Sequence, residues 1–141
     1  MTPDEITFQV DGRPFVDRAN MPQVDEIHIA HLVRFARGRG LQVFERHVRP
    51  HECYPIQYIS PSEMNRPLHG PIQALMKKPV LLAKDHAIID GNHRWAAWIK
   101  SGHPWMPSII FGAHIHDAMK IIWQFPFTYR YGDGKFHAHI N

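Results

Sequence analysis

Two apolar runs, Val80-Leu81-Leu82-Ala83 and His86-Ala87-Ile88-Ile89-Asp90, stand on either side of the polar pair Lys84-Asp85. The second passes without interruption into Gly91 and then into Asn92-His93-Arg94-Trp95-Ala96-Ala97-Trp98-Ile99-Lys100. Short apolar runs separated by a two-residue polar turn predict adjacent strands, as in a hairpin. The segment after Gly91 places its apolar residues at helical spacing and is closed by Ser101-Gly102, a helix stop. A strand therefore feeds a helix through an Asp-Gly turn. No other feature constrains the fold as much, because it sets two element types, their order and a tight reversal.

With 141 residues, 44% of them hydrophobic and 21% charged, the chain has the length and composition for one domain with a full core, and disorder is excluded. Residues 6–10 (ITFQV) alternate like a strand, and Asp11-Gly12 supplies a turn before a second short apolar stretch, which predicts a hairpin. From Val24 to Phe35, the positions Val24, Ile27, His28, His31, Leu32 and Phe35 share one helical face, with Gly38 or Gly40 as the stop. Residues 41–48 and 55–59 read as strands. Pro67, Gly70, Pro71 and Pro79 confine any helix before the hairpin to about 72–77. Pro107 to Phe111 reads as a strand, and residues 117–123 as a helix that starts on a good N-cap, Asp117. The tail from Thr128 shows no period. Strands and helices both recur along the chain, so the fold class is α/β (α+β).

Charge narrows the function classes only a little. Sixteen Lys and Arg against 13 Asp and Glu leave a net charge of +3, which suits a local anion pocket better than a broad polyanion surface. The single cysteine, Cys53, excludes an internal disulfide and a multi-cysteine zinc site. The N-terminus lacks a basic flank followed by a long apolar run, and no run of about 18 apolar residues occurs. The expectation is a soluble cytoplasmic protein with no membrane contact; self-association is left open.

The strand-to-helix turn is where residue chemistry converges. The first turn of a helix has unpaired backbone N–H groups and the positive end of the dipole, so such a turn is a ready anion site. Gly91 lets backbone approach a ligand, and His93 and Arg94 add donors suited to phosphate oxygens. Asp90 would repel a bare phosphate but is useful if a divalent cation lies between them. The bland alternative has Asp90 or Asn92 capping the helix, with Gly91 only making the turn and Arg94 in solvent.

The run Ile88-Ile89-Asp90-Gly91-Asn92-His93-Arg94-Trp95-Ala96-Ala97 resembles the signature of the ParB/sulfiredoxin superfamily. Residues 78–111, the later Asp117-Ala-Met-Lys-Ile-Ile-Trp123 and the Ser-Pro-Ser-Glu ending at Glu63 are similar to its free serine kinase-like branch. The resemblance covers roughly residues 55–125. It implies a small mixed sheet with flanking helices as a nucleotide-binding core, taken as residues 51–127; residues 1–50, which have no counterpart in the resemblance, are read as an N-terminal extension packed on the core, and 128–141 as a tail. It also implies that Gly91, Asn92, His93 and Arg94 hold the phosphates of ATP or ADP, that Asp90 is a catalytic or Mg²⁺-binding carboxylate, and that Glu63 is a general base. The implied activity is Mg²⁺-dependent phosphoryl transfer, by a small-molecule kinase or a nucleotide hydrolase. Asn92 stands where sulfiredoxin has its catalytic cysteine, which excludes sulfinic acid reduction. It also replaces the first histidine of the kinase-like motif, and an amide cannot carry a proton as imidazole can.

Other features support different classes. Partition-type relatives bind DNA and some relatives are called nucleases; Arg34, Arg37, Arg39, Arg46 and Arg49 would then contact phosphates. Against this, no room remains after residue 125 for a helix-turn-helix domain. A protein-binding module without nucleotide affinity is the third class. Of the 12 histidines, the pairs His114/His116 and His137/His139 have chelating spacing on an extended segment, and His28/His31 on a helix. Trp98 and Trp123 are expected in the core.

Overall fold

The computed structural model describes residues 8–10, 13–16, 20–57 and 77–130. The chain forms β1 (Phe8–Val10), β2 (Arg13–Phe15), β3 (Pro22–Gln23), α1 (Ile29–Gly38), β4 (Val43–Val48), β5 (Tyr54–Pro55), β6 (Val80–Leu82), β7 (Ala87–Asp90), α2 (Asn92–Ser101), β8 (Met106–Phe111), α3 (Ile115–Gln124) and β9 (Tyr129–Arg130). β1 and β2 pair antiparallel as the hairpin reading expects.

The main sheet is five-stranded and mixed, in the order β4-β8-β6-β7-β5. β4 lies antiparallel to β8 and β6 antiparallel to β7, while β8–β6 and β7–β5 are parallel pairs. Both faces are covered, so the central strands β6 and β7 are buried at every position rather than alternating, and they are apolar except for Asp90 at the end of β7. On one face Leu81, Ile89, Ile109 and Phe111 pack with Leu32 and Ala36 of α1 and with Met119 and Ile122 of α3. On the other, Val80, Leu82, Ile88 and Ile110 pack against Trp98 of α2. The first fifty residues supply α1 and the edge strand β4 to this same sheet and core.

Several expectations change in detail. Four residues, 83–86, separate β6 from β7; Ala83 N–H donates to the Ala87 carbonyl at 2.9 Å, so three residues rather than two lie inside the closing bond, the last of them His86 at φ +71°. A residue in the left-handed region after a tight turn is the usual three-residue solution. The helix predicted from Val24 starts at Ile29, after a 3₁₀ turn over Glu26–His28. Its inward face is therefore Ile29, Leu32, Val33 and Ala36; His31 is exposed and Ile27 is 76% exposed. α3 begins before Asp117, with His114 as its N-cap, so Asp117 is a first-turn residue and not the cap. The tail contributes β9, which pairs antiparallel with β3. Of the 55–59 strand only Pro55 is in β5, which starts one residue earlier; Ile56 and Gln57 leave the sheet in a bend, and residues 58–59 lie outside the described residues, as does almost all of the 72–77 helix.

Trp98 is buried as expected, and Trp123 is half-buried against the α1/α3 core with Arg130 over its ring at 5.5 Å. Cys53 is buried in the α2-side core, and burial pushes its thiol up to about 12. Among the described residues, no helix is long and apolar enough to cross a membrane.

Candidate functional site

β7 ends at Asp90, and α2 starts at Asn92 with Gly91 between them as N-cap. Gly91 has φ +112°, a conformation L side chains rarely adopt, and it also has no room for one. A Cβ there would stand 2.7 Å from Arg94 Nη2 and 3.1 Å from Cζ. The guanidinium thus folds back over the turn. No side chain caps α2, so neither Asp90 nor Asn92 plays the capping part of the bland reading.

Asp90 is 3% exposed, and its partners account for its burial. Oδ2 accepts the Val24 N–H at 3.2 Å and lies 3.6 Å from Lys78 Nζ; Oδ1 lies 3.9 Å from Arg94 Nη2. Arg94 also donates to the Pro79 carbonyl at 3.3 Å. Burial lowers the Lys78 ammonium from its ordinary range, with Arg94 adding to the effect and Asp90 and Asp25 opposing it. Burial likewise works against the charge on Arg94, which Asp90 most strongly supports. Tyr129 donates to Asp25 Oδ1 at 2.8 Å, and burial first, then that bond, raises its phenol.

Around this network lies a cleft of about 120 Å³ lined by Gln23, Gln57, Asp90, Gly91, Asn92, His93 and Arg94. Two of its polar atoms are buried without a hydrogen-bond partner among the described residues: Asn92 Oδ1 and Arg94 Nε. Asn92 is 7% exposed. His93 lines the same cleft and is already engaged within the fold.

The structure therefore brings together Asp90, Gly91, Asn92, His93 and Arg94, as the sequence predicts; Glu63 lies outside the described residues. Sequence reasoning missed Lys78, Gln23, Gln57 and the Val24 N–H. A signal for Lys78 existed: the hairpin pairs Leu81 with Asp90, which carries residues 78 and 79 alongside the turn. For Gln23, Val24 and Gln57 there was none, because their approach depends on tertiary packing.

The paired histidines do not form a chelate at His114/His116: His114 is the exposed N-cap of α3 and His116 sits inside its first turn, so they leave the extended geometry the spacing assumed. His28 stacks on Phe127 at 4.2 Å while His31 is exposed. His137/His139 lie outside the described residues. No group of three or more His, Cys, Asp or Glu is placed to hold a metal ion among the described residues.

No protein-family model matches the chain, and no curated protein matches it. Among solved structures it is similar to the pNOB8-like ParB N-domain, at 19% identity over 60% of this chain and 35% of that one, with a TM-score of 0.41. A second form of that ParB domain gives 17% identity over 60% of this chain and 38% of the other, with a TM-score of 0.40. The chain spans little more than a third of the length of these neighbours. Nothing in the comparisons favours the free serine kinase-like branch.

Proposed function

We propose that the chain is a nucleotide-binding domain that holds the phosphates of ATP or ADP at the Asp90–Arg94 turn. The observation that carries this reading is the charge at the start of α2. Its first turn has no acidic residue, and Arg94 sits there with a buried Nε that has no partner among the described residues. A cation beside a helix N-terminus opposes the dipole, and burying it adds a desolvation cost. A bound anion would relieve both: it would accept from Arg94 Nε and from the first N–H groups of α2 together. The Asn92 amide, turned by half a rotation, presents NH₂ to the same oxygens; unturned, its oxygen accepts from a ligand hydroxyl. At about 120 Å³ the cleft is small beside the ~300–1,000 Å³ of pockets that enclose drug-sized ligands. It takes the phosphates, and the nucleoside lies over the rim.

Phosphoryl transfer to a small-molecule acceptor, or nucleotide hydrolysis, is the reaction we propose, with Glu63 as base. The described residues do not fit a dedicated Mg²⁺ site. Both Asp90 oxygens face cations, one of them also accepts a backbone N–H, and no ligand cluster accompanies them. Asp90 acts instead as the counter-ion that holds Lys78 and Arg94 at the cleft.

A DNA-associated function rests on other residues. Arg37 donates to the Val43 carbonyl at 2.8 Å and Arg39 to Gln124 Oε1 at 2.7 Å, so these two are engaged within the fold. Arg46 lies over the Phe44 ring and Arg49 over the Trp105 ring, along and just beyond β4.

Calorimetry with ADP and ATP, with and without Mg²⁺, tests the nucleotide reading. Saturable binding is expected in the wild type, weakened at least tenfold in Arg94→Ala, given ~1.5–3 kcal/mol for a hydrogen bond to a charged group. Wild-type protein that binds neither nucleotide would sink it. Glu63→Gln should then abolish transfer while leaving binding intact; unchanged turnover would remove Glu63 from the mechanism.

A further inference from the structure

β4 is the outer strand of the main sheet and continues into Arg49. Its residues alternate between faces: Val43 belongs to the α1/α3 core and Val48 to the α2-side core. Phe44 and Arg46 therefore share the α2 side with Val48, and Glu45 and His47 point the other way. Val48 is covered by the α2-side core, while Phe44, Glu45, Arg46 and His47 are all exposed.

Four large apolar side chains are exposed among the described residues, and three of them, Phe44, Ile99 and Trp105, lie on this side of the molecule. Trp105 is 49% exposed. Two of the three rings and chains carry an arginine: Arg46 lies over Phe44 at 4.8 Å and Arg49 over Trp105 at 5.2 Å. Beside Trp105 opens a groove of about 370 Å³ lined by Arg49, His51, Ile99, His103 and Pro104 among others, with no carboxylate in its wall. Glu52 is the acidic neighbour, on the exposed turn after Arg49.

We propose that this strip, from Phe44 and Arg46 along β4 to Arg49 and Trp105, binds single-stranded nucleic acid. Bases stack on the exposed rings, and the arginines and the His51/His103 pair hold the phosphates between them. From Phe44 to Arg49 the strand advances five residues, about 17 Å at ~3.4 Å each, so the two ring-and-arginine units address separate bases of one strand. Repeated cation and aromatic positions suit a polymer of alternating π-faces and charges, and stacking reads any base. A duplex hides the faces of its bases and would use only the charges. The strip shares no residue with the Asp90–Arg94 cleft, so this proposal and the nucleotide reading can fail separately.

Fluorescence anisotropy with a labelled strand of about twelve thymidines, alone and as a duplex with its complement, tests the proposal on the full chain. The expected result is saturable binding of the single strand that weakens with salt, with the duplex bound more weakly. Trp105→Ala should weaken it about tenfold or more, Trp105→Phe should restore most of the loss, and Arg49→Ala should reduce the salt slope by about one. Arg94→Ala should bind the strand like the wild type. Absence of binding at low salt, a duplex bound as tightly as the single strand, or a Trp105→Ala protein indistinguishable from Trp105→Phe and wild type would overturn it.

Discussion

Helices α2 and α3 are the same length and both begin without a side-chain cap, yet their first turns are electrostatic opposites. α3 starts at the exposed His114 in extended conformation and places Asp117 in its first turn, which offsets the positive end of the dipole. α2 starts at a left-handed Gly91, has no acidic residue in its first turn, and buries Arg94 there against Asp90. One end is neutralised by its own sequence, while the other accumulates positive charge in a cleft. The anion site proposed above rests on this difference, which holds without reference to any relative.

The strongest way to break this contrast is to remove the one carboxylate that holds the α2 end together. Asp90→Ala leaves Lys78 and Arg94 buried without their counter-ion, and losing one partner of a buried pair costs about 3–5 kcal/mol. Urea unfolding should show a loss near the lower figure, because Lys78 and Arg94 retain some solvent contact. The pH dependence has a definite sign. Lys78 already titrates below 10.5 in the folded state, so between its folded value and 10.5 the unfolded chain binds more protons and stability rises with pH. Without Asp90 that depression deepens, and the deficit of Asp90→Ala should shrink as pH climbs toward 10.5. A deficit that is constant with pH would mean that Lys78 is not the group left uncompensated.

Gly91→Ala attacks the same turn through the backbone. It combines a strained φ with a Cβ 2.7 Å from the Arg94 guanidinium, and the strain alone is worth ~1–3 kcal/mol. Thermal unfolding should register about 2 kcal/mol, and nucleotide binding should be lost because Arg94 is displaced. Retention of binding would show that the guanidinium position is not what the site needs.

Asn92→Asp would convert the α2 start into the α3 type. A carboxylate there meets both the dipole and Arg94, so the unliganded protein should gain up to about 1 kcal/mol while nucleotide affinity falls at least tenfold. Opposite signs in the two measurements are the signature of an anion site. A loss in both would mean only that a buried charge is not tolerated at this position.

Much of this was legible in the chain. The 86–100 run predicts strand, turn and helix, and β7, Gly91 and α2 follow it closely because continuous apolar burial and helical spacing are local signals. The α1 face was misread because Val24, Ile27 and His28 fit a helical period although a 3₁₀ turn ends at His28, and a period cannot show where a helix begins. In the site, the residues adjacent in sequence were found and those delivered by packing were not. The Val24 N–H reaches Asp90 across 66 residues of separation, which no spacing rule encodes.

The smallest test addresses α3, where the comparison predicts that little should happen. Asp117→Asn removes the charge but keeps the shape of an exposed first-turn residue. A carboxylate at such a position contributes about 0.3–1 kcal/mol at low ionic strength, and the effect is screened within a Debye length of ~3 Å at 1 M salt. The variant should therefore lose about 0.5 kcal/mol in dilute buffer and match the wild type at 1 M NaCl, with nucleotide affinity unchanged in both. If nucleotide affinity fell as well, the two helix starts would be coupled through the sheet between them, and the positive charge at α2 could no longer be read as a property of that turn alone.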